Sequence, residues 1–223
     1  MSKLKTIIQI ISKKAYFYAF LFFDMAEPYN GVKFNYKNIG KTISEHPLLY
    51  ELKYWCAVFN HKNLAPPYPG GSSGNLSFRL NSKENNFIIT ASRTALNDSM
   101  VNTDFSEVIN YYKNQNLITG KGEKEPSSES IMHFLIYKNR NDINAIFHGH
   151  SPEILKHAEQ LNIPTTEKEL PYGTVEFAKN ALNLLHNSDF IILKNHGFVS
   201  LGNTMQDAGE QTYFFLNKCK SFK

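Results

Sequence analysis

Apolar positions recur along this chain with two periods. Leu48, Leu52, Trp55 and Phe59 share one face at helical spacing, with Pro47 suited to the helix's first turn. The stretch Ala65-Pro66-Pro67-Tyr68-Pro69-Gly70-Gly71 ends that element. Leu76, Phe78 and Leu80 then alternate with polar residues, as in a half-buried strand. Residues 87–90 read as its partner, across a hairpin loop at 81–86. A helix is predicted from near Ser127, with Ile131, Phe134 and Leu135 inward, and a strand over 143–148. Ser151-Pro152-Glu153 offers an N-cap and a first-turn proline for a helix running to about Leu161. Thr174 caps another, with Phe177, Ala181, Leu182 and Leu185 facing the core. Short strands at 190–193 and 198–201 flank the turn Asn195-His196-Gly197. A last helix runs from about Thr204 to Cys219, with Met205, Ala208, Phe215 and Cys219 on one stripe. Hairpins mixed with helices predict an α/β fold, a layered α/β/α architecture with a mainly antiparallel central sheet. Strand order is not determined by this pattern.

Composition narrows the class. The 223 residues are 42% hydrophobic and 20% charged, which suits a globular domain with one sizeable core. The formal charge of +4 is spread thinly, with no run of like charge fit for a nucleic-acid arm, so no nucleic-acid partner is expected. A solvated surface and a small anionic substrate are both compatible with it. Cys56 and Cys219 form no Cys-x-x-Cys pair, which excludes a zinc ribbon. On apolar helix faces they read as buried thiols, in keeping with a reducing, cytoplasmic setting.

Residues 1–24 differ from the rest. Lys3, Lys5, Lys13 and Lys14 surround the apolar runs 7–11 and 15–23, and the longer run falls short of the ~20 residues that span a bilayer. No membrane partner is expected. The segment suits a signal core with a poor cleavage site, a dispensable extension with Met25 as initiator, or an apolar helix covering the core. Residues 1–30 are therefore set apart as an extension from a domain at 31–223.

The chemistry concentrates in histidines. His148-Gly149-His150 ends a predicted strand, and residues two apart on an extended chain project to one face, so both rings can reach one ion. The glycine between them leaves the opposite face unobstructed. A catalytic zinc site takes three protein ligands at ~2.0–2.1 Å plus an exchangeable position. His196, emerging from a tight turn, is the candidate third ligand, although a lone turn histidine is ordinarily structural. Glu129 reads by itself as a first-turn carboxylate favouring a helix dipole.

Five motifs occur in order. They are residues 70–77 (Gly-Gly-Ser-Ser-Gly-Asn-Leu-Ser), Ile89-Thr90-Ala91-Ser92, Pro126-Ser127-Ser128-Glu129 with His133, His148-Gly149-His150, and Asn195-His196-Gly197. Together they resemble the class II aldolase/adducin family, nearest to its fuculose-phosphate aldolase branch, over roughly residues 47–219. The resemblance implies His148, His150 and His196 as metal ligands. Glu129 would be a fourth ligand at rest and would leave the cation to act as acid/base. It implies a phosphate site at Gly74, Asn75, Ser92, Ser127 and Ser128, with N-capping the alternative role of the two serines. The implied cofactor is a divalent metal, zinc first, with Mn²⁺, Fe²⁺ or Co²⁺ able to occupy the same ligands. The implied reaction is C–C cleavage of a hydroxyketone phosphate through a metal-stabilised enediolate, in a cytoplasmic homotetramer. Epimerisation or dehydration of a related sugar phosphate, or a non-catalytic adducin-like binding role, are the alternatives.

Two departures from the family bear on substrate. Arg93 stands where the family has a glycine beside the phosphate, and it could clamp an anion or crowd it out. The stretch after His150 is short and lacks the tyrosine acid of the fuculose-phosphate aldolases. Glu167, Glu169 and Tyr172 lie where a neighbouring subunit's catalytic group could be supplied, with surface charge the default role of the glutamates and packing that of Tyr172.

Overall fold

The computed structural model describes residues 30–222. The expectations for residues 1–24 lie outside that range. An eight-stranded sheet forms the middle layer, in the order β1-β7-β6-β5-β4-β8-β10-β9. Its strands are β1 (Asn35–Asn38), β4 (Gly74–Arg79), β5 (Phe87–Thr90), β6 (Phe105–Tyr112), β7 (Leu117–Lys121), β8 (Ala145–Gly149), β9 (Phe190–Leu193) and β10 (Gly197–Gly202). Only β1 and β7 pair in parallel; every other pairing is antiparallel. A two-stranded ribbon, β2 (Pro67–Tyr68) with β3 (Gly71–Ser72), occupies the Pro/Gly-rich stretch.

Each face of the sheet carries its own apolar cluster, as the layered α/β/α expectation requires. On one face, α1 (Leu48–His61), α3 (Pro152–Lys156) and α5 (Met205–Lys220) cover Leu76, Phe78, Phe147 and Phe198. Phe59 meets Phe147 edge-on at 5.4 Å. The other face is covered by α2 (Ser130–Asn139) and α4 (Val175–Leu185), over Ile89, Ile146, Val199 and Leu201. Thr174 caps α4 by accepting from the Phe177 amide at 3.1 Å, and Thr204 caps α5 from the Asp207 amide at 3.1 Å. Cys56 and Cys219 are buried. Among the described residues, no helix is long and apolar enough to cross a membrane.

Several expectations need correction. Leu52, Trp55 and Phe59 of α1 are buried as expected, with Leu49 and Cys56 beside them, whereas Leu48 is exposed and Pro47 sits at the N-cap. Helix α2 opens at Ser130, three residues later than expected, because Ser127–Glu129 form a turn in which Ser127 O accepts the Ser130 amide at 3.0 Å. Helix α3 ends at Lys156 rather than near Leu161; Asn162 is left-handed and Pro164 follows, so the chain turns. Strand β4 is buried on both faces, since Asn75, Ser77 and Arg79 are buried as well as Leu76 and Phe78 between them. That buried polar row carries the chemistry described next.

Candidate active site

Strand pairing brings the residues together. Asn75 on β4 stands opposite His148 on β8, which stands opposite Val199 on β10, so all three face α2 and α4. The Asn195-His196-Gly197 turn joins β9 to β10, with Asn195 left-handed at φ 56 and the His196 amide on Leu193 O. Gly197 leaves room for the rings: a Cβ there would lie 2.7 Å from the His148 ring and 3.0 Å from the His150 ring. Gly149 works the other way from expectation. Its open side is filled, and a Cβ would strike Leu64 O and the Phe198 ring, each at 2.6 Å.

The ring nitrogens of His148, His150 and His196 lie within 4.8 Å of one another. His148 Nδ1 donates to Phe198 O at 2.8 Å, and a carbonyl can only accept, so Nε2 presents its lone pair to the cluster. Nε2 of His148 is 3.1 Å from Nε2 of His150 and 3.0 Å from Glu129 Oε2. His196 Nε2 is 2.8 Å from Glu129 Oε1. Ligands ~2.0–2.1 Å from a tetrahedral ion are spaced about 3.3 Å apart, so these separations sit near the edges of one coordination tetrahedron. The three imidazoles could therefore hold a divalent cation, with the Glu129 carboxylate against two of them. Phe177 packs edge-on against His196 at 5.0 Å, holding its ring in place.

Burial alone would raise the Glu129 carboxyl. The positive charge that His148 and His196 carry when protonated, with the His196 hydrogen bond, acts the other way and lowers it. Burial pushes His148 and His150 down, which keeps them neutral as metal ligation requires. Asn75 Nδ2 donates to Glu129 Oε2 at 2.8 Å, so its side chain supports the carboxylate.

The remaining candidates line the adjoining end. Residues 90–92 run beside 125–127, with the Ser92 amide on Glu125 O and the Ser127 amide on Thr90 O. Ser127 Oγ accepts from the Glu129 amide at 3.4 Å within the turn before the helix; the N-cap is Glu129, with no side-chain cap, so neither serine caps α2 as expected. Ser128 lies under Gly173. Gly74 is at φ 111, and a Cβ there would meet His148 O at 2.6 Å, so the turn into β4 admits only glycine. Arg93 is exposed, at φ 54. It has the left-handed backbone that a glycine adopts freely. Glu169 accepts from Asn195 at 2.8 Å, and the Tyr172 hydroxyl accepts from the Asn30 amide at 2.7 Å.

The sequence profile of the family described as Class II Aldolase and Adducin N-terminal domain matches residues 51–222. The chain belongs to that family. Among curated members of this class II aldolase family, an L-fuculose phosphate aldolase of Methanococcus maripaludis is 33% identical over 159 residues, 65% of this chain and 81% of that protein. A 3-oxo-tetronate 4-phosphate decarboxylase of Haemophilus influenzae is 27% identical over 174 residues, 70% of this chain and 79% of the other. In fold the class II aldolase chain is similar to a solved L-fuculose 1-phosphate aldolase. The TM-score is 0.65 at 22% identity, over 81% of this chain and 86% of that one. It is an enzyme of the class II aldolase type.

Reading motifs along the chain missed two site residues, Ser77 and Tyr137. Ser77 Oγ lies 2.7 Å from His133 Nδ1 and 2.7 Å from the Tyr137 hydroxyl. The signal was present as spacing: 75, 77 and 79 share a strand face, while 129, 133 and 137 share a helix face. The two rows meet as three rungs, Asn75 with Glu129, Ser77 with His133, and Arg79 under the Tyr137 ring at 4.7 Å.

Proposed function

We propose that this protein is a metal-dependent sugar-phosphate aldolase cleaving a C–C bond of a hydroxyketone phosphate. The observation that supports this reading is the meeting of His148, His150, His196 and Glu129 at the spacing of one cation's ligands. Those four side chains would hold a divalent ion, Zn²⁺ first and Mn²⁺, Fe²⁺ or Co²⁺ after it. When bound, the ion supplies Lewis-acid stabilisation to the enediolate charge on two substrate oxygens.

The chain's own residues do the rest. Phe198 O keeps the His148 ring oriented, and Asn75 steadies one oxygen of Glu129. Glu129 moves the proton at the reacting carbon, giving it up in cleavage and taking it in synthesis. Gly74, Asn75, Ser92, Arg93, Ser127 and Ser128 hold the phosphate, with the helix α2 N-terminus favouring the anion. The working form is a cytoplasmic homotetramer.

The test is a panel of ketose phosphates given to the protein loaded with each metal in turn. A phosphorylated 3-oxo acid is included because of the Haemophilus influenzae relative. The reading predicts dihydroxyacetone phosphate and an aldehyde from at least one ketose phosphate. Carbon dioxide, an epimer or a dehydrated product in their place would reassign the reaction. No turnover of any member with a metal bound would refute the sugar-phosphate reading.

A further inference from the structure

Two buried side-chain atoms on the β4–α2 ladder lack a partner among the described residues: Asn75 Oδ1 and His133 Nε2. His133 is fully buried and lies one helical turn beyond Glu129 on the same face of α2. Its other nitrogen is committed to Ser77 Oγ, which is also bound to the Tyr137 hydroxyl.

A serine hydroxyl has one hydrogen, so the chain of bonds has a direction. If Tyr137 donates to Ser77 and Ser77 donates to His133 Nδ1, both hydroxyl hydrogens find acceptors, and the neutral imidazole carries its hydrogen on Nε2. The reverse order leaves the Tyr137 hydroxyl hydrogen without an acceptor in a buried site, the costlier arrangement. The first order makes His133 Nε2–H an unused donor, four residues along the chain from the carboxylate that has to move. Asn75 and the imidazoles hold Glu129 from the sheet side. His133 lies on the helix whose N-cap is Glu129.

We propose that His133 is a positioning residue for Glu129, its Nε2–H fixed by the Tyr137–Ser77 relay and offered to the carboxylate as Glu129 leaves the cation. This role rests on the aldolase reading, in which Glu129 must hold a defined position away from the metal while it moves a proton. Tyr137 and Ser77 act only through His133.

The test uses the full-length, zinc-loaded protein and two substitutions. Asparagine at position 133 places its amide where Nδ1 lies and cannot reach further; glutamine extends to the Nε2 position and can donate there. His133→Asn is expected to lower kcat roughly ten- to a hundredfold, the loss of one hydrogen bond to a charged group. KM and metal content should stay as in the wild type, and His133→Gln should recover most of kcat. A merely structural role would lower the unfolding midpoint and metal content without that split. Nitrogen-15 spectra of the wild type read the tautomer directly, whether or not a variant folds. A proton on Nε2 with a bare Nδ1 is expected, and a proton on Nδ1 overturns the relay. An active wild type with unchanged kcat in His133→Asn overturns the role of His133 alone. A wild type inert on every ketose phosphate removes the aldolase reading, and this role with it.

Discussion

Lowering the pH of the metal-free protein should destabilise it through His133 in particular. Burial pushes this imidazole from 6.5 down to about 3. Between those values the unfolded chain binds a proton that the native state refuses, so stability rises with pH across the window. The contribution is fully present above about pH 6.5 and is lost as the pH falls toward 3. From about pH 7.5 to about pH 5.0, one such group removes about 2 kcal/mol, since each pH unit below the unfolded pKa takes about 1.4 kcal/mol. His148 and His150 shift in the same direction through burial and steepen the fall. The assay is urea unfolding of chelator-treated protein at both pH values, for the wild type and His133→Gln. The comparison is of pH dependence, so any fixed cost of the substitution cancels. The wild type should lose about 2 kcal/mol more than the variant over this interval. Equal losses would mean that His133 takes up its proton in the native state as readily as in the unfolded chain, and the burial argument would be wrong.

Glu129→Gln should lower kcat roughly a hundred- to ten-thousandfold while KM changes little, measured by steady-state kinetics on the active substrate. Arg93→Gly should relieve the left-handed backbone at φ 54, raising stability by about 1–2 kcal/mol. The same change should raise KM by roughly tenfold if the guanidinium holds the anion; a constant KM would take Arg93 out of the substrate site. Arg79 donates to the carbonyls of Ile143, Glu84, Tyr137 and Arg140 at 2.7–3.0 Å. Arg79→Met leaves these acceptors bare and should cost about 3–5 kcal/mol in denaturant unfolding.

Much of the fold was legible because periodicity and capping agreed. Helices α4 and α5 announced themselves through Thr174, Thr204 and apolar stripes, and the pair β9–β10 through two short apolar runs around a turn. Strands β1, β6 and β7 gave no such signal. A register shift between Val108 and Asn110 breaks the two-residue period of β6. Gly120 interrupts β7 where the Tyr36 ring lies against it, 3.2 Å from a Cβ placed there. Alternation in β4 suggested a solvent-facing side because Asn, Ser and Arg normally mark one. Here that side meets another polar row on α2, and only tertiary packing reveals it. The same limit applied at the site. His148 and His150 could be paired from strand geometry alone, whereas His196 and Glu129 needed the family pattern until the fold placed them within hydrogen-bonding distance.

The central claim is that four side chains from three separate stretches close around one divalent ion, and metal content measures it most directly. Purified wild-type protein, dialysed against zinc and then washed, should retain about one ion per chain. Replacing His148, His150 or His196 singly by alanine should each abolish that retention while the fold persists by circular dichroism. Full zinc content in any one of the three variants, or none in the wild type, would contradict the account.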